Sequence, residues 1–173
     1  MNIYIKDFIT RKDYGYGEKV IRNRKANIDD LNELVRLRIE FMKEAINIHT
    51  DNNDKIIEKA LNEYFEKTLK DNSFIAWLAI YDDKIIGTSG LCFYMRPPSY
   101  KNIAGEVAYI MNMYTEPSYR CRGIATSLFG KAVLEAKSMG YKKICLNATE
   151  MGKPLYIKFG FRETNGEMEF DFT

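Results

Sequence analysis

Residues 119–128 read YRCRGIATSL, and their types and spacing suggest chemistry. Arg120 and Arg122 flank Cys121, Gly123 follows at once, and Ile124 and Leu128 open a helical apolar spacing. The first turn of a helix exposes backbone N–H groups that have no intrahelical acceptor, and the macrodipole adds positive potential there. A glycine lets a bulky anion approach the backbone. Two guanidinium groups add forked donors that match phosphate. Placed after a strand, such a turn makes a phosphate cradle. The same residues also fit a plain helix start with solvated arginines, and these positions alone leave both readings open. Neither G-x-x-x-x-G-K-S/T nor G-x-G-x-x-G occurs, so a nucleoside triphosphate or a dinucleotide held in those ways is not expected.

The elements that must position this turn follow from periodicity. Residues 19–26 alternate as a strand. Residues 27–30 supply a helix start, with Val35, Ile39, Met42 and Ile46 at helical spacing after it. A second helix spans about 54–70, with Ile57, Ala60, Leu61, Tyr64 and Phe65 on one face. Strands at 73–81 and 84–95 are joined through Asp82-Asp83, a tight hairpin turn. Pro97-Pro98 ends the second of them, and 106–115 is a third, stopped by Pro117. A helix runs from Gly123 to about 139, turning Ile124, Leu128, Ala132, Val133 and Ala136 inward, with Gly140 as its C-terminal cap. A strand at 142–148, a short helix at 153–159 closed by Gly160, and a final hairpin through Asn165-Gly166 complete the order. The expectation is one mixed α/β domain over 19–173, preceded by an arm or short strand over 1–18.

Composition sets outer bounds. The chain has 173 residues, enough for one sizeable core, with 46% hydrophobic and 29% charged residues, the profile of a soluble globular protein. A net charge of +2 gives no global case for nucleic acid. Cys92, Cys121 and Cys145 are widely spaced and form no C-x-x-C pair, so neither zinc nor a disulfide framework is expected. No apolar run is long enough to span a bilayer, and the charged residues of the first stretch do not fit a signal peptide. A reducing cytoplasm is the expected setting.

Arg120-Cys121-Arg122-Gly123-Ile124-Ala125 resembles the Q/R-x-x-G-x-G/A signature of the GCN5-related N-acetyltransferases, the GNAT superfamily. The segment PLYIKFGF at 154–161 is similar to that family's L-Y-x-x-x-G-F ending, and the element order over 19–172 is similar to the family's order. The resemblance implies a three-layer fold: a central, mostly antiparallel mixed sheet with helices on both faces. It implies acetyl-CoA as co-substrate, with no metal, and direct transfer of the acetyl group to an amine on a small molecule or peptide. A homodimer is compatible with it. Carried over by position, the backbone of Met113, Tyr114 and Thr115 is expected to pair with the pantetheine arm. The amides of Cys121, Arg122, Gly123, Ile124, Ala125 and Thr126 are expected to hold the pyrophosphate, with the side chains of Arg120 and Arg122 nearby. Asn147 is a further contact for the arm, and Tyr156 is the general acid for the leaving thiolate. Cys121 stands where the family often has glycine, either as a small packing residue or as a reactive thiol.

The acceptor side is less legible. Tyr94 and Tyr100 flank the Arg96-Pro97-Pro98-Ser99 loop and are candidates for an acceptor pocket. His49 is the only histidine. Tyr109 occupies the position where some family members carry a glutamate base. Glu106 and Glu150 are the nearby carboxylates, and by strand alternation Glu106 faces away from Tyr109 unless a bulge intervenes. No dedicated base is expected. A non-catalytic acyl-CoA-binding or regulatory module on the same fold is the alternative.

Overall fold

The computed structural model describes residues 15–16, 19–45 and 54–164. Ile46, His49 and the Asn165-Gly166 hairpin lie outside them. Strands β1 (Gly15–Tyr16) and β2 (Lys19–Val20) form a small antiparallel ladder of their own. The main sheet has the order β3-β4-β5-β6-β7: Arg22–Lys25, Phe74–Tyr81, Lys84–Met95, Glu106–Thr115 and Ile144–Leu146. Only the β6–β7 pair is parallel. Helices α1 (Leu31–Ala45) and α2 (Asp54–Lys70) cover one face, and α3 (Ile124–Ser138) and α4 (Lys153–Lys158) cover the other. This is the expected three-layer arrangement of a mixed sheet between helices.

Local chemistry explains the boundaries. Asn27 accepts from Asp29 N–H and Asp30 reaches back to Asn27 N–H, a capping box ahead of α1. Asp82 and Asp83 both have positive φ, 52° and 58°, as a two-residue hairpin turn of mirror-image type requires. The chain leaves α3 and α4 in the same way. Tyr141 N–H bonds Ala136 O past Gly140, and Phe161 N–H bonds Tyr156 O past Gly160, with φ of 90° and 88° at the two glycines.

Four sequence expectations are corrected. The strand expected over 19–26 is interrupted: β2 stays outside the main sheet, and only Arg22–Lys25 joins it. The inward face of α1 is Leu34, Val35 and Leu37; of the expected stripe only Val35 is buried, while Ile39 and Met42 are partly covered. In α2 only Phe65 and Thr68 are buried, while Ile57 and Tyr64 stay exposed, so that helix docks by its C-terminal half alone. Residues 161–164 carry no assigned strand among the described residues.

Register determines which face each β6 side chain presents. Glu106 to Ile110 pair one-to-one with Met95 to Leu91. Ala108 and Ile110 join the core under α3 and α4, and Tyr109 and Met111 therefore face α1 and α2. At Asn112 (φ 53°) the ladder slips: Gly90 pairs Met111, but Thr88 pairs Tyr114. One extra residue on β6 makes a bulge and reverses the alternation. Met113 then packs with Ile110, and Tyr114 packs with Met111.

Candidate acyl-coenzyme A site

β6 keeps its ladder with β5 as far as Thr115, yet pairs with β7 only over Ala108, Tyr109 and Ile110. Past that point the two strands part, and the edge of β6 from Met111 to Thr115 has no strand partner on that side among the described residues. The free edge runs directly into the turn that precedes α3. Glu116 N–H bonds Ile86 O, Pro117–Tyr119 make a single 3₁₀ turn, and Arg120 N–H closes on Pro117 O.

The turn itself is built from alternating backbone signs. Cys121 has φ 60° and Gly123 has φ 79°, both left-handed. Successive N–H groups then point into one concavity, a nest for an anion. The first bond of α3 at this end runs from Ser127 N–H to Gly123 O at 3.0 Å. It leaves the N–H groups of Ile124, Ala125 and Thr126 without intrahelical acceptors. Glycine is needed at 123 for both φ and close approach. Cys121 accepts a conformation that L side chains resist, which gives a physical reason for the glycine the family resemblance leads one to expect there.

A cavity of about 490 Å³ opens over this turn. Its wall includes Met113, Tyr114, Thr115, Arg120, Cys121, Gly123, Ile124, Ala125, Thr126 and Tyr156. Two expected residues do not contribute. Arg122 lies on the outside, where its Nη2 donates to Ser118 O at 2.9 Å and its guanidinium covers the Tyr119 ring. Asn147 is exposed in the loop after β7. The far wall comes from residues that the sequence reading missed: Phe41, Glu44 and Ala45 at the end of α1, and Thr149, Met151, Gly152 and Leu155 around α4.

Arg120 is committed within the protein. Its Nε donates to Thr115 O at 2.9 Å, its Nη2 reaches the Glu44 carboxylate, and its guanidinium lies 5.7 Å from the Tyr114 ring centroid. It ties the end of β6 to α1 and raises positive potential at the cradle without being a free phosphate ligand. Glu116, also buried, accepts from Arg36 at 3.0 Å and Lys84 at 2.7 Å. Arg36 also holds Glu33, Glu40 and Ile85 O; burial pulls its pKa down, but the hydrogen bonds and charges of Glu33 and Glu40 outweigh it and push the pKa up. Burial, with Glu40 and Glu44 close by, pushes the Tyr114 phenol up. Two buried side-chain atoms at the splay, Asn112 Oδ1 and Thr115 Oγ1, have no partner among the described residues. Of the two, Thr115 lines the cavity, where a polar ligand atom arriving along β6 would satisfy its hydroxyl.

Tyr156 projects from α4 into the same cavity and is buried against Phe129 (5.0 Å) and Phe161 (6.5 Å). Gly152, one turn earlier, leaves room for it. A Cβ there would lie 2.8 Å from the ring and 3.0 Å from the Tyr156 hydroxyl. Burial raises the Tyr156 pKa, so the hydroxyl keeps its proton at neutral pH.

The other candidates are dispersed. Glu106 follows the register to the α3 face, near Tyr141; no bulge falls between it and Tyr109. It stands nine residues from Thr115, roughly 30 Å along the strand. The Glu150 side chain is 89% exposed and paired with Lys153. Tyr100 is fully exposed at the tip of the β5–β6 loop, so it lines no pocket. Tyr94 packs against Tyr109 at 6.3 Å on the α1 face. The three thiols are free; Cys121 is exposed and the other two are partly buried. Among the described residues no helix is long and apolar enough to cross a membrane.

A mixed sheet whose strands β6 and β7 splay apart, with the free edge of β6 leading to a helix-start anion nest, defines the acyl-coenzyme A cleft of an acetyltransferase fold. Residues 34–161 match the model of the acetyltransferase (GNAT) family, and the chain belongs to that family. It is similar to a "predicted acetyltransferase with acetyl-CoA" from Clostridium acetobutylicum, with a TM-score of 0.81 and 38% identity over 88% of this chain and 96% of the other. It is also similar to a GCN5-related N-acetyltransferase from Ralstonia eutropha JMP134, with a TM-score of 0.79 and 29% identity over 88% and 98% of the two chains. In sequence it is 30% identical over 88 residues to a glucosamine 6-phosphate N-acetyltransferase of Trypanosoma brucei brucei. That match spans 51% of this chain and 58% of the relative's length.

Proposed function

We propose that this protein transfers an acetyl group from acetyl-CoA directly to an amine on a small molecule or peptide. The observation that carries the reading is the free edge of β6 from Met111 to Thr115, which ends in the cradle of residues 121–126 and faces Tyr156 across one cavity. Met113, Tyr114 and Thr115 would hold the pantetheine arm by backbone bonds. The N–H groups of Cys121, Gly123, Ile124, Ala125 and Thr126, with that of Arg122, would hold the pyrophosphate. Acetyl-CoA supplies an activated acyl group whose sulfur departs as a thiol. Tyr156 keeps a proton at Oη and delivers it to that sulfur, because the free thiol's pKa of about 8.5 makes a bare thiolate a poor leaving group near neutrality. Backbone N–H groups near Met113 would supply the donor that the oxyanion needs.

The amine must shed a proton before attack, since its pKa is near 10. Tyr109 is a poor base at pH 7, Glu106 faces the wrong way and Glu150 is solvated, so water carries that proton out. A non-catalytic acyl-CoA-binding module would have no need of the fit between Gly152 and the Tyr156 hydroxyl. A cytoplasmic setting suits three free thiols, and one acetyltransferase domain over 19–173 behind an arm of 1–18 is part of the same reading. The trypanosomal relative's name puts amino-sugar phosphates among the acceptors to try.

The test is a panel of amines assayed with acetyl-CoA by thiol release. Turnover with one amine class is the expected outcome. Tight acetyl-CoA binding without thiol release across the panel would favour the non-catalytic module instead.

A further inference from the structure

Arg38 lies beside the cleft and stands apart from Arg36 and Arg120. It lies on α1, one turn before Phe41, and its guanidinium sits 5.3 Å from the centroid of the Phe41 ring. Phe41 is part of the cavity wall. Arg38 is half-buried, and no hydrogen bond or ion pair joins it to a described residue. Arg36, two residues earlier, has three carboxylates, and Arg120 has Glu44. A charge held partly out of water without a counter-ion is unfavourable. Burial accordingly pulls the Arg38 pKa down, and only Tyr64 opposes it.

The surroundings of Arg38 are aromatic and open. The Tyr64 phenol of α2 lies within electrostatic range of both Arg38 and Cys92. Cys92 pairs across the sheet with Tyr109, and Tyr109 packs against Tyr94. Register puts Cys92, Tyr94 and Tyr109 on the α1 face, and all three are only partly covered. The same face continues through Met111 and, past the bulge, Tyr114 into the cavity. Asp71 is the carboxylate that acts on Tyr64, and it is held by Ser73 N–H without reaching Arg38.

We infer that Arg38 recognises an anionic oxygen group, a carboxylate or a phosphate, carried by the amine acceptor. The acceptor then lies over Tyr109 and Cys92, with its amine toward Met113 and its anionic end on the guanidinium. The planar fork of arginine binds such oxyanions in pairs of hydrogen bonds, and the apolar neighbours strengthen the interaction by excluding water. This assignment rests on the acetyltransferase reading and adds the acceptor's class to it.

The experiment compares matched amines that differ only in the anionic group: an amino sugar with its phosphate, and an amino acid with its amide. The parent should favour the anionic member of at least one pair by tenfold or more in kcat/KM, and the active pair tells phosphate from carboxylate. Arg38→Gln should erase that preference through the acceptor's KM and leave the KM for acetyl-CoA unchanged, while Arg38→Lys should restore part of it. Preference for the neutral members, or an undiminished anionic preference in Arg38→Gln, overturns the assignment. Titration with inorganic phosphate and with acetate, with CoA occupying the cradle, reads the site without turnover. At least one of the two should bind the parent and bind Arg38→Gln at least tenfold more weakly. Equal binding to both proteins overturns the assignment even if every amine fails. Phosphate or acetate binding that depends on Arg38, without turnover of any amine, leaves the anion site standing and removes the acetyltransferase reading.

Discussion

At the cradle end of the cleft, the two charged side chains of the wall, Arg120 and Glu44, are bonded to each other, and Arg120 also holds Thr115 O. The unsatisfied groups there are mostly backbone ones, the N–H groups of the first turn of α3 and the free edge of β6, with the Thr115 hydroxyl beside them. At the α1 face, backbone pairing is complete over Ala108 to Ile110, and the group without a hydrogen bond or ion pair to any described residue is a side chain, Arg38. The contrast separates two kinds of recognition. Backbone donors fixed by φ angles suit an unvarying pyrophosphate and pantetheine. A guanidinium beside Phe41 and Tyr64 suits a variable ligand, because one substitution changes what it reads.

The largest expected effect falls where the two ends meet. Tyr156→Phe keeps the ring packed on Phe129 and removes only the proton. It should lower kcat by about 10² to 10⁴, the usual worth of general acid–base assistance, with acetyl-CoA affinity unchanged. Burial raises this group's pKa, so its acid form persists above the ordinary tyrosine value of about 10. A pH profile of kcat should therefore show no alkaline fall from this group below that value. Equal losses in kcat and affinity would make Tyr156 a packing residue.

The cradle end alone is broken by Gly123→Val. The position has φ 79°, which a β-branched residue resists, and the side chain would fill the nest. Acetyl-CoA binding by calorimetry should weaken roughly a hundredfold, or ~2.7 kcal/mol. The anion preference assigned to Arg38 should survive in whatever turnover remains. Undiminished acetyl-CoA binding in a folded variant would displace the cradle from this turn.

The support beneath the cradle is a smaller target. Glu116 holds Arg36 and Lys84 just before the 3₁₀ turn. Glu116→Gln leaves Arg36 one carboxylate short at a buried position and should cost about 1–3 kcal/mol, read from denaturant unfolding. Glu33 and Glu40 still pair Arg36, which keeps the loss below that of an isolated buried charge. No change in stability would mean that the network is dispensable.

Much of this fold was legible in the sequence because it is carried by local chemistry. Asp82-Asp83, Pro97-Pro98, Gly140 and Gly160 punctuate the chain where backbone geometry allows little else, and β6 runs over the expected residues. The cradle was legible for the same reason: Gly123 and the start of α3 are neighbours in sequence. Parity across the bulge was not. The extra residue is Asn112, an asparagine inside an apolar strand and one of the few side chains that tolerates a positive φ, so a signal was present. The far wall of the cavity could not be read, because Phe41, Glu44 and Ala45 belong to it only through tertiary packing. Arg38 was invisible for a deeper reason. An arginine on an amphipathic helix is ordinarily solvated or paired, and lacking a partner is a property of the surroundings.

The smallest effect concerns the cradle's one departure from the family pattern. Cys121 holds φ 60°, which costs an L residue about 1–2 kcal/mol. Glycine removes that strain but gains about 0.5–1 kcal/mol of unfolded-state entropy, so Cys121→Gly should stabilise the protein by no more than about 1.5 kcal/mol. For a chain of this length, that corresponds to a rise in Tm of about 3–6 °C at most. Cys121→Ser keeps the strain and removes the thiol, so its Tm should stay at the parent's value. Both variants should retain kcat and acetyl-CoA affinity, because direct transfer needs no cysteine nucleophile and the N–H at 121 is unchanged. The pair of variants separates backbone from side chain. A rise in Tm for glycine alone, with activity intact in both, makes Cys121 a strained backbone position whose thiol is incidental. A collapse of kcat in both, with acetyl-CoA still bound, would instead show that the thiol takes part in the reaction, and direct transfer at Tyr156 would have to be abandoned.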